Sequence, residues 1–220
     1  KYKTDKIYMS TTLKKQKKEE IQAIPEAPKL EFSAEDMNAP RLNVVQAQSK
    51  IAGETGALVV DKLHTLILHE EECKAVPIKV QKGWREDTPF GHAEMPSMVF
   101  SEKEAEELKK TSEWPIVAFA EIMFLFPKGD NEEDDTYPYA IGDEFYAMGK
   151  INVAKDAYKH TFKRLATFSA FNPEAPLCEK YWKFKTELLT RGMNSWFVPS
   201  ITPTTESTPD EIKIFAARLS

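Results

Sequence analysis

Three short stretches of this chain hold residue types that could engage a polyanion. In 181–185, Tyr-Trp-Lys-Phe-Lys, a strand would alternate its side chains. Trp182, Phe184, Thr186 and Leu188 would then share one face, and Tyr181, Lys183, Lys185 and Glu187 the other. A tyrosine ring beside two ammonium groups on a solvent face suits stacked bases joined by phosphates. Upstream, Lys155, Lys159 and Lys163 recur every four residues, which at about 3.6 residues per turn makes one ridge of a helix. Arg164 follows the ridge, and Arg191 sits at a turn beyond the strand. The third stretch is Lys82-Gly83-Trp84-Arg85, readable as a second stacking platform or as a tryptophan packed on the sheet it leaves. The expected binding residues are therefore Trp84, Arg85, Lys155, Lys159, Lys163, Arg164, Tyr181, Lys183, Lys185 and Arg191. The alternative is that these charges only solvate the surface, a common protection for an edge strand.

Catalytic signatures are missing by comparison, and no enzyme is expected. A nucleophile needs a nearby base. His64 lies inside a predicted strand, and His160 lies beside the lysine ridge, where a phosphate contact is the natural role. His69 and Cys73 are four residues apart, with no second pair to complete a zinc site. Gly53, Gly56, Gly142 and Gly149 match no nucleotide-binding fingerprint. Asp143 and Glu144 are neighbours on a predicted strand and would point to opposite faces, unlike the carboxylates of a metal-dependent nuclease. The acidic loop at 127–135 lacks the glycine position and spaced oxygens of a calcium-binding hand. No cofactor and no metal are expected.

The bulk numbers allow this reading without requiring it. With 220 residues, 41% hydrophobic and 30% charged, the chain can bury a core and carry a generous charged surface. The net charge is −5, but it is unevenly spread. Residues 150–192 carry +5, from nine cations and four anions, whereas 101–145 carry −9. Such polarity suggests one anion-binding side and one acidic side. No apolar run approaches the roughly 20 residues of a membrane-spanning helix, and the longest, 116–126, is interrupted by Glu121. With no signal-like apolar region near Lys1, a cytoplasmic setting is expected, with Cys73 and Cys178 as reduced thiols.

The elements that must position these residues follow from periodicity. Residues 1–40 read as a basic, proline-punctuated tail and 41–220 as one domain. Leu42–Gln46 and the branched stretch 57–69 are strand candidates, as is 75–81, where Pro77 implies an edge or a strand start. Ser101 and Glu104 form a capping box for a polar helix over 102–110. Residues 114–126 should be a central strand, and 137–151 resume as strand. Ala154, Ala157, Tyr158, Thr161, Phe162, Leu165 and Phe168 form the apolar stripe of the basic helix. A hairpin turn at 191–194 leads to a returning strand ending at Ile201, then a loop over 202–207. Thr208, Pro209 and Glu211 should cap a last helix that docks through Ile212, Phe215, Ala216 and Leu219. About seven strands with no alternating βαβ series favour a mainly β (α+β) fold. The specific expectation is an OB-like antiparallel β-barrel with added strands, one helix between strands and a C-terminal helix.

In order and texture, Pro40-Arg41-Leu42, Gln46 and Ser49, then Val76-Pro77-Ile78, a hydrophobic strand before an acidic loop, and a helix–strand pair closing with Trp196-Phe197-Val198 resemble the OB-type single-stranded-DNA-binding proteins of tailed bacteriophages. The resemblance covers most of 41–201. It implies a DNA-coating accessory of replication or recombination, acting on single-stranded DNA, or on RNA as the related case, beside phage or host replication proteins. Many members end in an acidic recruiting tail, which Ala216-Ala217-Arg218-Leu219-Ser220 does not provide. The competing expectation is a non-enzymatic virion or host-interaction protein that offers its acidic segment to a basic partner.

Overall fold

The computed structural model describes residues 37–89, 92–129 and 134–219, which form one compact unit. Expectations for residues 1–36, and for the centre of the acidic loop, lie outside the described residues. Strands β1 (Leu42–Val44), β2 (Leu58–Val60) and β3 (His64–Ile67) make a small antiparallel sheet. The stretch 57–69 is thus two strands, not one, because Asp61 and Lys62 turn the chain with φ of 50° and 62°. The main sheet contains β4 (Glu72–Glu86), β5 (Met98–Val99), β6 (Ile116–Pro127), β7 (Tyr139–Ile141), β8 (Glu144–Ala154), β9 (Lys180–Arg191) and β10 (Asn194–Ser207). Its order is β10-β9-β4-β6-β8-β7, with β5 added to β4, and every pairing is antiparallel.

The protein is therefore mainly β, with four α-helices among the described residues. Helix α1 (Glu102–Thr111) starts at the expected capping box: Ser101 Oγ accepts from the Glu104 amide at 3.2 Å, and Glu104 Oε2 accepts from the Ser101 amide at 3.3 Å. Helices α2 (Lys155–His160) and α3 (Phe162–Phe171) fill the connection from β8 to β9, and α4 (Asp210–Ala217) follows β10. Among the described residues no helix is long and apolar enough to cross a membrane.

Several expectations are corrected. Pro77 lies inside β4 and not at its start, at a point where the strand is paired on one side only: β9 pairs it as far as Ala75, and the pairing with β6 shifts register between Pro77 and Lys79. Residues 137–151 are a hairpin, with Gly142 at φ 62° turning β7 into β8. The basic helix breaks at Thr161, whose Oγ1 donates to Ala157 O at 2.6 Å. The break divides the lysine ridge, placing Lys155 and Lys159 on α2 and Lys163 on α3. Residues 202–207 continue β10 rather than forming a loop. Thr208 does not cap α4: its hydroxyl donates to Cys178 O at 2.6 Å, and Pro209 occupies the cap position with no side-chain cap bond.

The sheet is covered on both faces, and this decides what can be a surface. On one face Ile122, Phe124, Phe126, Trp182, Phe184 and Ile201 pack under Leu165 of α3 and under Leu42, Leu58 and Ile67 of the small sheet. The expected apolar stripe joins them through Ala157, Tyr158, Phe162 and Phe168. On the other face Val76, Ile78, Met123, Leu125, Tyr146, Met148 and Tyr181 pack under Ile212, Ala216 and Leu219, the docking face expected of the last helix. Ala39 is buried in this second cluster, so the folded unit includes residues just before Pro40. Neither Cys73 nor Cys178 is in a disulfide.

Candidate functional site

The alternation in β9 holds where chemistry depends on it, with one exception. Trp182, Phe184 and Thr186 are buried, and Lys183 and Lys185 are exposed. Tyr181 is also buried, at 5% exposure, which corrects its assignment as a stacking ring. The cause is tertiary, since α4 closes over the face that Tyr181 shares with Val76 and Tyr146. Its hydroxyl lies 3.5 Å from Glu144 Oε2, which also accepts from Tyr146 at 2.5 Å. Burial first, and then the bond to Glu144, push the Tyr146 phenol far above its ordinary range. Leu188 departs in the other direction. It was expected on the buried face but is 50% exposed, because the β9–β10 hairpin runs past the core there.

The lysines of this face do not form a positive patch. Lys183 Nζ lies 2.7 Å from Glu72, Lys185 Nζ 3.1 Å from Glu187, and Lys74 Nζ 2.7 Å from Glu206. Register sets Glu72 opposite Lys185 and Lys74 opposite Lys183, and the pairs form off this line: Glu72 reaches Lys183 diagonally, and Lys74 turns to Glu206. Three ammonium groups face three carboxylates, so the strip is neutral. Each pair is open to solvent, where screening leaves it little weight in stability.

Arg164 is a structural tether. Its Nη1 donates to Ser200 Oγ at 2.8 Å and to Ile201 O at 2.9 Å, fastening α3 to the edge strand β10. That contact also satisfies an edge carbonyl that could otherwise pair with another chain. Arg164→Met, which keeps the aliphatic stem, is expected to lower stability by about 1.5–3 kcal/mol, the range for hydrogen bonds to a charged group. Denaturant titration checks it. An unchanged midpoint would mean that the guanidinium is not holding the edge.

The remaining candidates converge around α2. Lys155 Nζ is 2.7 Å from Asp87 Oδ1, which ties the start of α2 to the segment leaving β4. Asp156 Oδ1 is 2.8 Å from Lys159 Nζ, and its Oδ2 is 3.8 Å from Arg191 Nη2 at the β9–β10 turn. At each end of this run lies a half-buried tryptophan with a cation over its ring. Lys82 Nζ is 4.7 Å from the Trp84 centroid, and the Arg191 guanidinium carbon is 5.9 Å from the Trp196 centroid. Asp87 is three residues past Trp84, about 10 Å along an extended chain. Lys155 adopts φ 52°, a left-handed conformation that side-chain-bearing residues rarely take. Such outliers persist where the surroundings fix both flanks, and they cluster at functional sites. Lys163 is exposed on α3, on the far side of the Thr161 break. Arg85 is half-buried on β4, and its Nε has no partner among the described residues.

Sequence reasoning missed Lys82, Trp196, Asp87 and Asp156. Two of these carried a usable signal. Lys82 and Trp84 are two apart on one strand and so share a face, and Trp196 returns opposite Leu189 just past a turn that begins with Arg191. Of the carboxylates, Asp87 carried none, because Lys155 is distant in sequence, and Asp156 showed only its local pair with Lys159, three residues on, and not its contact with Arg191. Among the described residues, no three His, Cys, Asp or Glu side chains converge as a metal site would require. No model of a known family, no curated protein and no solved structure matches this chain.

Proposed function

We propose that the chain binds single-stranded nucleic acid, DNA in the first place, with little sequence preference. The surface runs from the end of β4, across the first turn of α2, to the β9–β10 turn. The observation that carries this reading is the pair of half-buried tryptophans, each under a cation, at the two ends of one run of lysines. Indole faces stack on any base, and Lys82, Lys155, Lys159 and Arg191 supply four positions for phosphates. No base-edge code is built into such a surface.

The strand order supports the same reading. β4, β6 and β8 follow one another, and β9 returns through α2 and α3 to lie beside β4, which is a Greek-key order, with β10 then added outside β9. Five strands in this order are compatible with an OB-type barrel left partly open, and α2 packs against β6, β8 and β10. In that architecture the loop after the first strand and the loop between the last two carry oligonucleotide contacts. Here those are the segment leaving β4 at Asp87 and the turn after Arg191. The setting this reading implies is an accessory that coats single strands in bacteriophage replication or recombination.

The test is a salt series with a labelled oligothymidylate and a duplex of equal length. Four phosphate contacts set a limit of about −3 on the log–log slope for single strands, at roughly −0.7 per phosphate. Single strands should bind more tightly than duplex, since stacking needs unpaired bases. Absence of binding, or an affinity insensitive to salt, would remove the reading.

A further inference from the structure

The cations of this surface are long, exposed and already paired, while the carboxylates that pair them are short and held in place. Lys155, Lys159 and Arg191 have side chains 58%, 57% and 77% exposed, whereas Asp87 and Asp156 are at 26% and 17%. Asp156 sits in the first turn of α2, and each of its oxygens faces a different cation, one on α2 and one at the β9–β10 turn. The hydrogen bond from Lys159 holds its carboxyl below the usual range, outweighing the opposing effect of burial. Asp87 closes the other junction, between the end of β4 and Lys155.

We infer that Asp156 and Asp87 are built-in competitors of phosphate, occupying the positions that the oxygens of a bound strand take. This rests on the single-strand reading above. The asymmetry in exposure gives the sequence of events. A phosphate draws the flexible ammonium and guanidinium groups outward, and the carboxylates, fixed to structured segments, stay behind. A freed carboxylate then attracts a solvent cation, which offsets part of the counterion release from the strand and makes the salt dependence shallower. Exposed pairs of this kind are weak, so each can be opened. A ligand must open several together, which favours a strand carrying many phosphates over a single phosphate. The same Asp156–Arg191 pair joins the hairpin turn to α2, so engagement of a strand also releases that turn.

The test measures anisotropy of a labelled oligothymidylate across a salt series, with wild type, Asp156→Asn, Asp87→Asn and the double variant, all as the full chain. Asparagine keeps the shape of the side chain and removes its charge. Each single variant is expected to bind about three- to tenfold more tightly at low salt, since it deletes one or two exposed ion pairs. The slope should steepen toward the limit of about −3 set by four phosphate contacts, by up to roughly 0.7 for each cation freed, and the double variant should show both effects most strongly. Binding by the double variant where wild type shows none overturns both, since the native carboxylates would then have no bound strand to compete with. Wild type that binds, with folded variants no tighter, overturns the inference and leaves the single-strand reading standing. No binding by any of the four proteins overturns both. The two substitutions lie on separate segments, so misfolding of one, visible in its melt, leaves the other to decide.

Discussion

Replacing Trp182 by alanine is expected to lower stability by about 3–5 kcal/mol, the range for removing a large buried aromatic side chain. Trp182 is fully buried in β9, with its ring 5.2 Å from Phe168 in an edge-on arrangement. Its Nε1 donates to Leu177 O at 3.1 Å. Removal therefore leaves a cavity between the sheet and α3 and strips the donor from a carbonyl in the segment that leads into β9. Both losses act on the same junction, so the surroundings have little room to collapse into the gap. Thermal or denaturant unfolding reads the result directly. A melting temperature equal to wild type would mean that the two faces of β9 are assigned the wrong way round.

The second large effect concerns binding. Replacing Lys155, Lys159 and Arg191 together by glutamine is expected to flatten the salt slope on single strands by up to about 2 units, from three lost phosphate contacts at no more than roughly 0.7 each. Trp84→Leu with Trp196→Leu is expected to act differently, weakening binding by about 1–3 kcal/mol per lost stack while leaving the slope nearly unchanged. Leucine retains apolar contact beneath each ring position, so folding should tolerate it. The internal control is Lys183→Gln with Lys185→Gln. Those lysines belong to a strip where three cations meet three carboxylates, so their removal should leave the slope where it was. If instead the Lys183 and Lys185 pair flattens the slope and the α2 cations do not, the binding surface lies on β9 and not around α2.

Local rules determined much of this protein from sequence alone. A period of two placed Trp182, Phe184 and Thr186 inside and Lys183 and Lys185 outside, because the pleat leaves no other choice once one face is buried. The Ser101–Glu104 capping box and the apolar faces of α3 and α4 were equally legible, since their partners lie within one helical turn or on one helix face. Two other decisions belonged to the tertiary structure. One was whether the opposite face of β9 meets water. Tyr181 is interior only because α4, which begins 29 residues later, folds back over it. The other was the sign of each surface. The +5 of residues 150–192 is a sum along the chain, but a field depends on what lies within a few ångströms. Glu72 is 111 positions from the Lys183 it neutralises. Charge adds along a sequence and cancels in space, so the lysine-rich strand came out neutral and the cations gathered at α2 instead.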